Sequence, residues 1–261
     1  MARSRQRPPA PDPLDELVQL AVDLDLTALS AALSDMLRQA EREAMSFTDF
    51  ALCLLRAEVD ARRGRRLERS LRRSRLGAVE GLDGFNFQIR PQLEPRVVKE
   101  LFNCRFVEEK RNILCLGRPG LGKTRIAKAI VHAACLAGHS TLCVPTAQML
   151  EELHASHADG TFKRALRRYT KPEVLLLDEF AYEPLGIDAT KYLFRIVGAR
   201  HGQGSIVLTA NCGFDHWKKL FPSESAAVAT VDRLVDRATI LRFTGKSSRQ
   251  PREICGAPLE D

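Results

Sequence analysis

Asn112-Ile113-Leu114-Cys115-Leu116, followed at once by Gly117-Arg118-Pro119-Gly120-Leu121-Gly122-Lys123-Thr124, is the stretch that decides the fold. The second segment matches G-x-x-x-x-G-K-[ST], and Arg125 to Leu136 continue it at helical spacing. Strand, glycine loop and helix in that order make a phosphate-binding loop. Its glycines let successive backbone N–H groups turn inward, and the helix N-terminus adds partial positive charge. Lys123 is placed to reach the β- and γ-phosphates, and the Thr124 hydroxyl to ligate Mg²⁺. The implied ligand is ATP with Mg²⁺.

Downstream the pattern alternates. Thr141–Val144, Glu173–Leu177, Ser205–Thr209 and Thr239–Phe243 read as strands. Ala147–His157, Thr161–Arg168, Ala189–Ala199, Asp215–Phe221 and Ser225–Arg237 read as helices. Such alternation predicts a parallel α/β sheet flanked by helices. Val174-Leu175-Leu176-Leu177 is apolar throughout, as a strand buried on both faces must be, and it delivers Asp178-Glu179 to its C-terminal end, the edge where ligands bind in open α/β sheets. Asp178 is suited to the Mg²⁺ shell and Glu179 to the base that activates water. Asn211, after the strand Ser205-Ile-Val-Leu-Thr209, either holds that water or the γ-phosphate, or makes an ordinary turn. In Val231-Asp-Arg-Leu-Val-Asp-Arg237, Arg233 and Arg237 fall on one helix face and in isolation would pair with neighbouring acids.

Upstream, charge is unevenly distributed. The 261 residues carry a net +7, yet residues 1–60 hold 6 Arg against 11 acids, whereas residues 61–80 hold 8 Arg against 2 Glu. Residues 1–13, with their arginines and prolines, read as a mobile basic arm. Residues 14–76 read as a helical module. Leu14 to Ala44 gives two helices with Asp25 or Thr27 as the cap between them, and Ser46-Phe-Thr-Asp49 caps a third that runs on into the arginines. At about 100° per residue Leu67 and Leu71 share one face, and Arg62, Arg65, Arg69 and Arg72 the opposite one. With Arg63, Arg66, Arg73 and Arg75 they form a single-sign field, suited to duplex DNA phosphates, although a charge run can also be a plain solvated face. No aromatic residue is interleaved, so stacking on single strands is less supported.

Residues 77–92 are the linker, in which Phe85 and Phe87 should pack on the second domain; Pro95 to Phe106 reads as one short helix. The ATPase domain is placed at 93–245 and a tail at 246–261. Seven cysteines without C-x-x-C spacing suit reduced, buried thiols, and the expected compartment is the cytoplasm. No run of about eighteen apolar residues is present, so no membrane partner is expected. His154 and His157 have helical metal spacing without a third ligand, and Trp217 reads as packing.

Together the segments GRPGLGKT, LLLDEF, IVLTAN and VDRLVDR resemble the IstB family of insertion-sequence helper ATPases, relatives of DnaC-type helicase loaders in the AAA+ group. Ser46-Phe-Thr-Asp-Phe50, the arginine run to Arg75 and Phe85-Asn-Phe87 extend that resemblance over roughly residues 27–248. It implies nucleotide binding by Gly117 to Thr124, Mg²⁺ and water handling by Asp178 and Glu179, sensing by Asn211, and an approach of Arg233 and Arg237 to a neighbour's nucleotide. It also implies homo-oligomers on DNA and a transposase partner. Only Thr244 to Asp261 follow the last strand, so no C-terminal helical lid is expected. A helicase loader is the nearest alternative; a binding module without turnover and a small-molecule P-loop kinase are the others.

Overall fold

The computed structural model describes residues 12–180, 183–217, 219–245 and 247. The arm read at 1–13 and the tail read at 246–261 lie, apart from Asp12, Pro13 and Ser247, outside them.

Two compact units divide the chain after Arg69. The first contains α1 (Pro13–Asp23), α2 (Thr27–Arg42) and most of α3 (Phe47–Ser74). Asp12 caps α1 by accepting the Leu14 N–H, and the Ser46 hydroxyl accepts the Asp49 N–H at the start of α3. Neither Asp25 nor Thr27 caps α2. Its N-cap position is Leu26, which has no side-chain oxygen, and the Ala28 and Leu29 N–H groups donate instead to Glu58 of α3, at 2.9 and 3.2 Å. A carboxylate at a helix N-terminus satisfies orphan donors and meets the positive end of the dipole. Among the described residues of this unit, Ala21 and Leu33 are the buried apolar ones, while Leu20, Leu52, Leu55 and Val59 are exposed.

The division falls inside α3, upstream of the glycine-rich stretch, because residues 70–92 pack on the second unit. The Cys135 thiol donates to the Ser70 hydroxyl at 3.3 Å. Leu76, Val79, Leu82, Phe85 and Phe87 join that unit's core. The helix expected over Pro95 to Phe106 is two, α4 (Pro95–Leu101) and α5 (Arg105–Glu108), broken where Cys104 takes φ +58°.

The remainder is α/β: β1 (Ile113–Gly117), α6 (Lys123–Leu136), β2 (Thr141–Pro145), α7 (Thr146–Ala158), α8 (Phe162–Thr170), β3 (Val174–Phe180), α9 (Ile187–Arg200), β4 (Ser205–Ala210), α10 (Phe214–Trp217), α11 (Glu224–Val235) and β5 (Thr239–Phe243). The helix read at Asp215–Phe221 shortens to the single turn α10. All strands pair in parallel, in the order β2-β3-β4-β1-β5. Strand side chains alternate between faces. Leu114, Leu116, Leu175, Leu177 and Leu208 enter a core with α7 and α9, and Ile113, Cys115, Val174, Leu176 and Val207 enter a second with α4 and α6. Helices thus cover both faces. The sheet order sets β1, with its glycine loop, between β4 and β5, and aligns the ends of β1, β3 and β4 at one edge.

Candidate nucleotide site

At that edge the glycine loop is fixed by close backbone approach. Gly117 lies so near β5 that an added Cβ would stand 2.2 Å from the Phe243 carbonyl, and Gly122 takes φ +89° with the Phe85 ring 2.7 Å from where a Cβ would be. Only glycine fits either position. The Lys123 ammonium is drawn into the loop and donates to the Arg118 carbonyl at 2.8 Å.

Asp178 and Glu179 stand opposite, on an irregular end of β3. Leu177 pairs with Leu208 and Phe180 with Ala210, so three steps on β3 meet two on β4. The extra residue makes a bulge, in which Glu179 takes φ +54°, a conformation costly for a non-glycine residue. The consequence is directional. Leu177 and Phe180 both remain buried, yet Glu179 lines the cleft and Asp178 is bonded to Thr124, which lines it too. Asp178 Oδ1 accepts the Thr124 hydroxyl at 2.9 Å and the Thr209 hydroxyl at 2.5 Å, while Thr209 Oγ1 accepts the Glu179 N–H at 2.9 Å. The Asp178 carbonyl is held by the Thr146 hydroxyl at 2.9 Å.

These groups border a cleft of about 350 Å³ whose walls include Pro119, Gly120, Lys123, Thr124, Glu179 and Asn211. A hydroxyl and a carboxylate facing each other across a glycine loop form an oxygen donor pair of the kind Mg²⁺ takes together with nucleotide phosphates. No cluster of three His, Cys, Asp or Glu that could bind a metal unaided exists among the described residues.

Two contributors escaped the sequence reading. Thr209 is one, although a lone hydroxyl residue ending the otherwise apolar Ile206-Val207-Leu208 was a visible signal. Glu80 is the other: it lines the cleft and pairs with Arg125 at 3.1 Å, whose guanidinium also donates to the Gly81 carbonyl at 2.9 Å. No local pattern singles out that glutamate.

Arg233 and Arg237 lie elsewhere, and not on one helix face as expected. α11 ends at Val235, Asp236 leaves the helical region, and Arg237 takes φ +53°. The Arg233 guanidinium rests over the Phe194 ring, 4.4 Å from its centroid, whereas Arg237 is exposed. Both border a recess with Asn112 and His201, next to the N-terminal ends of β1, β4 and β5. Thr239 is level with Ile113 and Phe243 with Gly117, so the length of β5, about 13 Å, separates Arg237 from the edge that carries the glycine loop.

The arginine run is divided by its partners. Glu58, nearly buried, receives Arg62 at 2.8 Å and Arg65 at 3.1 Å. Arg63 faces Asp60 at 3.8 Å and Arg75 faces Glu152 at 3.3 Å. Arg66, Arg69, Arg72 and Arg73 are exposed and form no ion pair among the described residues. The expected unpartnered face of Arg62, Arg65, Arg69 and Arg72 is therefore split, because Glu58 lies one and two turns upstream of the first two.

Elsewhere, His154 and His157 stack around Tyr192, and Trp217 is buried against Phe180 and Phe214. Among the described cysteines none is paired, and burial pushes the thiols of Cys115 to about 12 and Cys143 to about 11, which keeps them protonated. No helix among the described residues is long and apolar enough to cross a membrane.

The sequence matches the family profile of the IstB-like ATP binding protein over residues 19–254. It is 33% identical to the insertion sequence IS21 putative ATP-binding protein of Pseudomonas aeruginosa, across 90% of this chain and 89% of that one. It is 30% identical to the insertion sequence IS5376 putative ATP-binding protein of Geobacillus stearothermophilus, across 87% and 90%. In fold it is similar to AMPPCP-bound DnaA from Aquifex aeolicus, at 19% identity and a TM-score of 0.55 over 65% of this chain and 51% of that one. The DnaC helicase loader aligns at 19% identity and a TM-score of 0.50 over 57% and 87%.

Proposed function

We propose that this chain, which belongs to the IstB-like ATP-binding family and is an AAA+ ATPase, uses Mg²⁺-ATP to assemble on duplex DNA and to license the transposase of an insertion sequence. The observation that carries the chemistry is that Thr124 and Glu179 line one cleft while Asp178 is bonded to Thr124, with the bulge turning the glutamate toward that cleft.

In this reading the backbone N–H groups of Gly117 to Thr124, with Arg118, Pro119 and Leu121 shaping the loop, cradle the phosphates, and Lys123 adds counter-charge at the β- and γ-positions. Thr124 and Asp178 are the residues that would hold Mg²⁺, which would supply neutralisation of charge on the phosphates. Glu179 accepts the proton of the attacking water, and Asn211 in the same wall orients that water or the γ-phosphate. Arg237, remote from its own loop, acts on the nucleotide of an adjacent copy, with Arg233 as the lesser contributor; homo-oligomers are required for this.

Duplex DNA is assigned to the arginine run, and the transposase to the insertion-sequence setting of the relatives. A helicase-loader role is less supported, because the likeness to the DnaC loader is one of fold at 19% identity, while the 33% relative is an insertion-sequence protein. The cytoplasm is the compartment that suits such a DNA-associated role.

Paired variants test the assignment. Lys123→Ala should lose nucleotide binding, whereas Glu179→Gln should bind ATP normally and hydrolyse it about 10² to 10⁴ times more slowly. Phosphate release at the wild-type rate in Glu179→Gln sinks the base assignment. Capture of a replicative helicase instead of a co-encoded transposase by the ATP-bound protein would replace the partner reading.

A further inference from the structure

A second concentration of positive charge lies in the ATPase unit, away from the nucleotide cleft. α8 carries Lys163, Arg164, Arg167 and Arg168, and its C-cap is Lys171. Its apolar side, Phe162, Ala165, Leu166 and Tyr169, is committed to the core. The basic side borders an open groove of about 660 Å³, closed on another wall by Arg73 and floored by Ser140 to Leu142.

Partners and helix electrostatics both bear on this groove. Glu152, the acid beside it, is already occupied by Arg75 at 3.3 Å, by Arg168 at 3.1 Å and by the Tyr169 hydroxyl. Lys163, Arg164, Arg167, Lys171 and Arg73 form no ion pair among the described residues. Cations in the last turn of a helix are favoured by its dipole, which accounts for Arg167 and Arg168. The dipole opposes cations in the first turn. Lys163 and Arg164 occupy that turn, which holds no acid; Asp159 before the helix attracts Arg164, but helix electrostatics do not explain Lys163.

We infer that the groove between α8 and Arg73 binds the phosphate backbone of duplex DNA, as a second contact in addition to the arginines of α3. The inference rests on the DNA-binding reading above and adds a surface to it. Guanidinium groups suit phosphate oxygens, and the groove exposes no aromatic ring on which an unpaired base could stack. Contacts of this kind position the duplex without reading its sequence.

The test is a salt series of duplex affinity. Each neutralised phosphate contributes about −0.9 to the slope of log K against log salt. Lys163→Gln, Arg164→Gln, Arg167→Gln and Lys171→Gln together should flatten the slope by about 3 to 4 units, with DNA-free ATP hydrolysis unchanged. The double variant Lys163→Gln with Arg164→Gln should flatten it by about 2 units. It should also unfold no earlier than wild type, since it removes two cations opposed by the dipole. An unchanged slope in these variants, while substitution of Arg66, Arg69 and Arg72 flattens it, overturns the groove and leaves the α3 reading standing. Unchanged slopes in both sets overturn DNA binding by either surface. A flattened slope accompanied by loss of self-association in DNA-free protein assigns the groove to a protein contact and overturns the inference.

Discussion

The Thr209 hydroxyl donates to Asp178 Oδ1 at 2.5 Å and so ties β4 to the carboxylate that faces the phosphate loop. Thr209 Oγ1 in turn accepts the Glu179 N–H, which leaves Thr209 as the polar pin of the bulge. Thr209→Val keeps the shape but strands a backbone donor, at a cost of about 1 to 3 kcal/mol. Turnover should fall by more than tenfold while nucleotide affinity stays near wild type, because the glycine loop is untouched. Thr209→Ser should recover most of the rate. Equal kcat in the valine variant would remove Thr209 from the positioning of Glu179.

Arg237 stands at the opposite end of β5 from the glycine loop, and the proposed reading has it act on the nucleotide of a neighbouring molecule. Arg237→Ala should lower ATPase activity by about 10³-fold or more without weakening nucleotide binding to the monomer. Arg233→Ala should have a smaller effect, since its guanidinium is engaged with Phe194. Mixtures of Arg237→Ala with Lys123→Ala subunits should regain activity, because each mutant supplies what the other lacks. Absence of recovery at every mixing ratio counts against a shared site.

Residues that obey a local rule were legible in the sequence. The glycine loop, the apolar strand before Asp178 and the leucine spacing of α3 each carry their signal within a few neighbours, and β5 falls at Thr239–Phe243 as read. The Glu179 bulge was not legible, because it depends on a register between β3 and β4 that neither strand encodes alone. The helical reading through Arg237 failed for a related reason. Asn112 donates its side-chain amide to the Leu234 carbonyl at 3.0 Å, and its Oδ1 accepts the Ile206 N–H at 2.9 Å, fastening the end of α11 beside β4 where the chain must turn into β5. Glu58 likewise looked like one more charge on a charged helix; its partners at Ala28 and Leu29 lie thirty and twenty-nine residues away.

Glu58 makes the first unit acid-sensitive. Burial pushes its carboxyl up, but the bonds from Arg62, Leu29, Ala28 and Arg65 outweigh that and hold it below its ordinary 4.5. A carboxyl lowered in the folded state binds protons less readily there than in the unfolded chain. Its stabilisation is therefore complete above 4.5 and is lost as pH falls through the lower folded value. Wild-type helix content in the first unit should thus decline on acidification below that range. Glu58→Gln should be less stable at neutral pH and show a weaker acid dependence. Parallel acid curves for the two proteins would mean that Glu58 does not set this transition.

The arginines of α3 should not contribute equally to DNA binding. At about 100° per residue Arg62, Arg65, Arg66, Arg69, Arg72 and Arg73 fall on one side of the helix axis, opposite Leu67 and Leu71. Glu58 engages the first two and neutralises part of their charge. Arg66, Arg69, Arg72 and Arg73 have no such partner among the described residues; Arg73 lines the α8 groove, which leaves Arg66, Arg69 and Arg72 to displace counterions from phosphates on this face. Changing these three to Gln should reduce the slope of log K against log salt by up to about 3 units and leave preference among duplex sequences nearly unaltered. Changing Arg62 and Arg65 to Gln should alter the slope less and instead lower the thermal stability of the helical unit, because Glu58 then stays nearly buried without its guanidinium partners. Duplex affinity across a salt series, read beside thermal unfolding of each variant, separates the two groups. Equal slope changes from the pair and the trio would show that the ion pairs with Glu58 open on DNA; no change from the trio would assign those arginines to a solvated face.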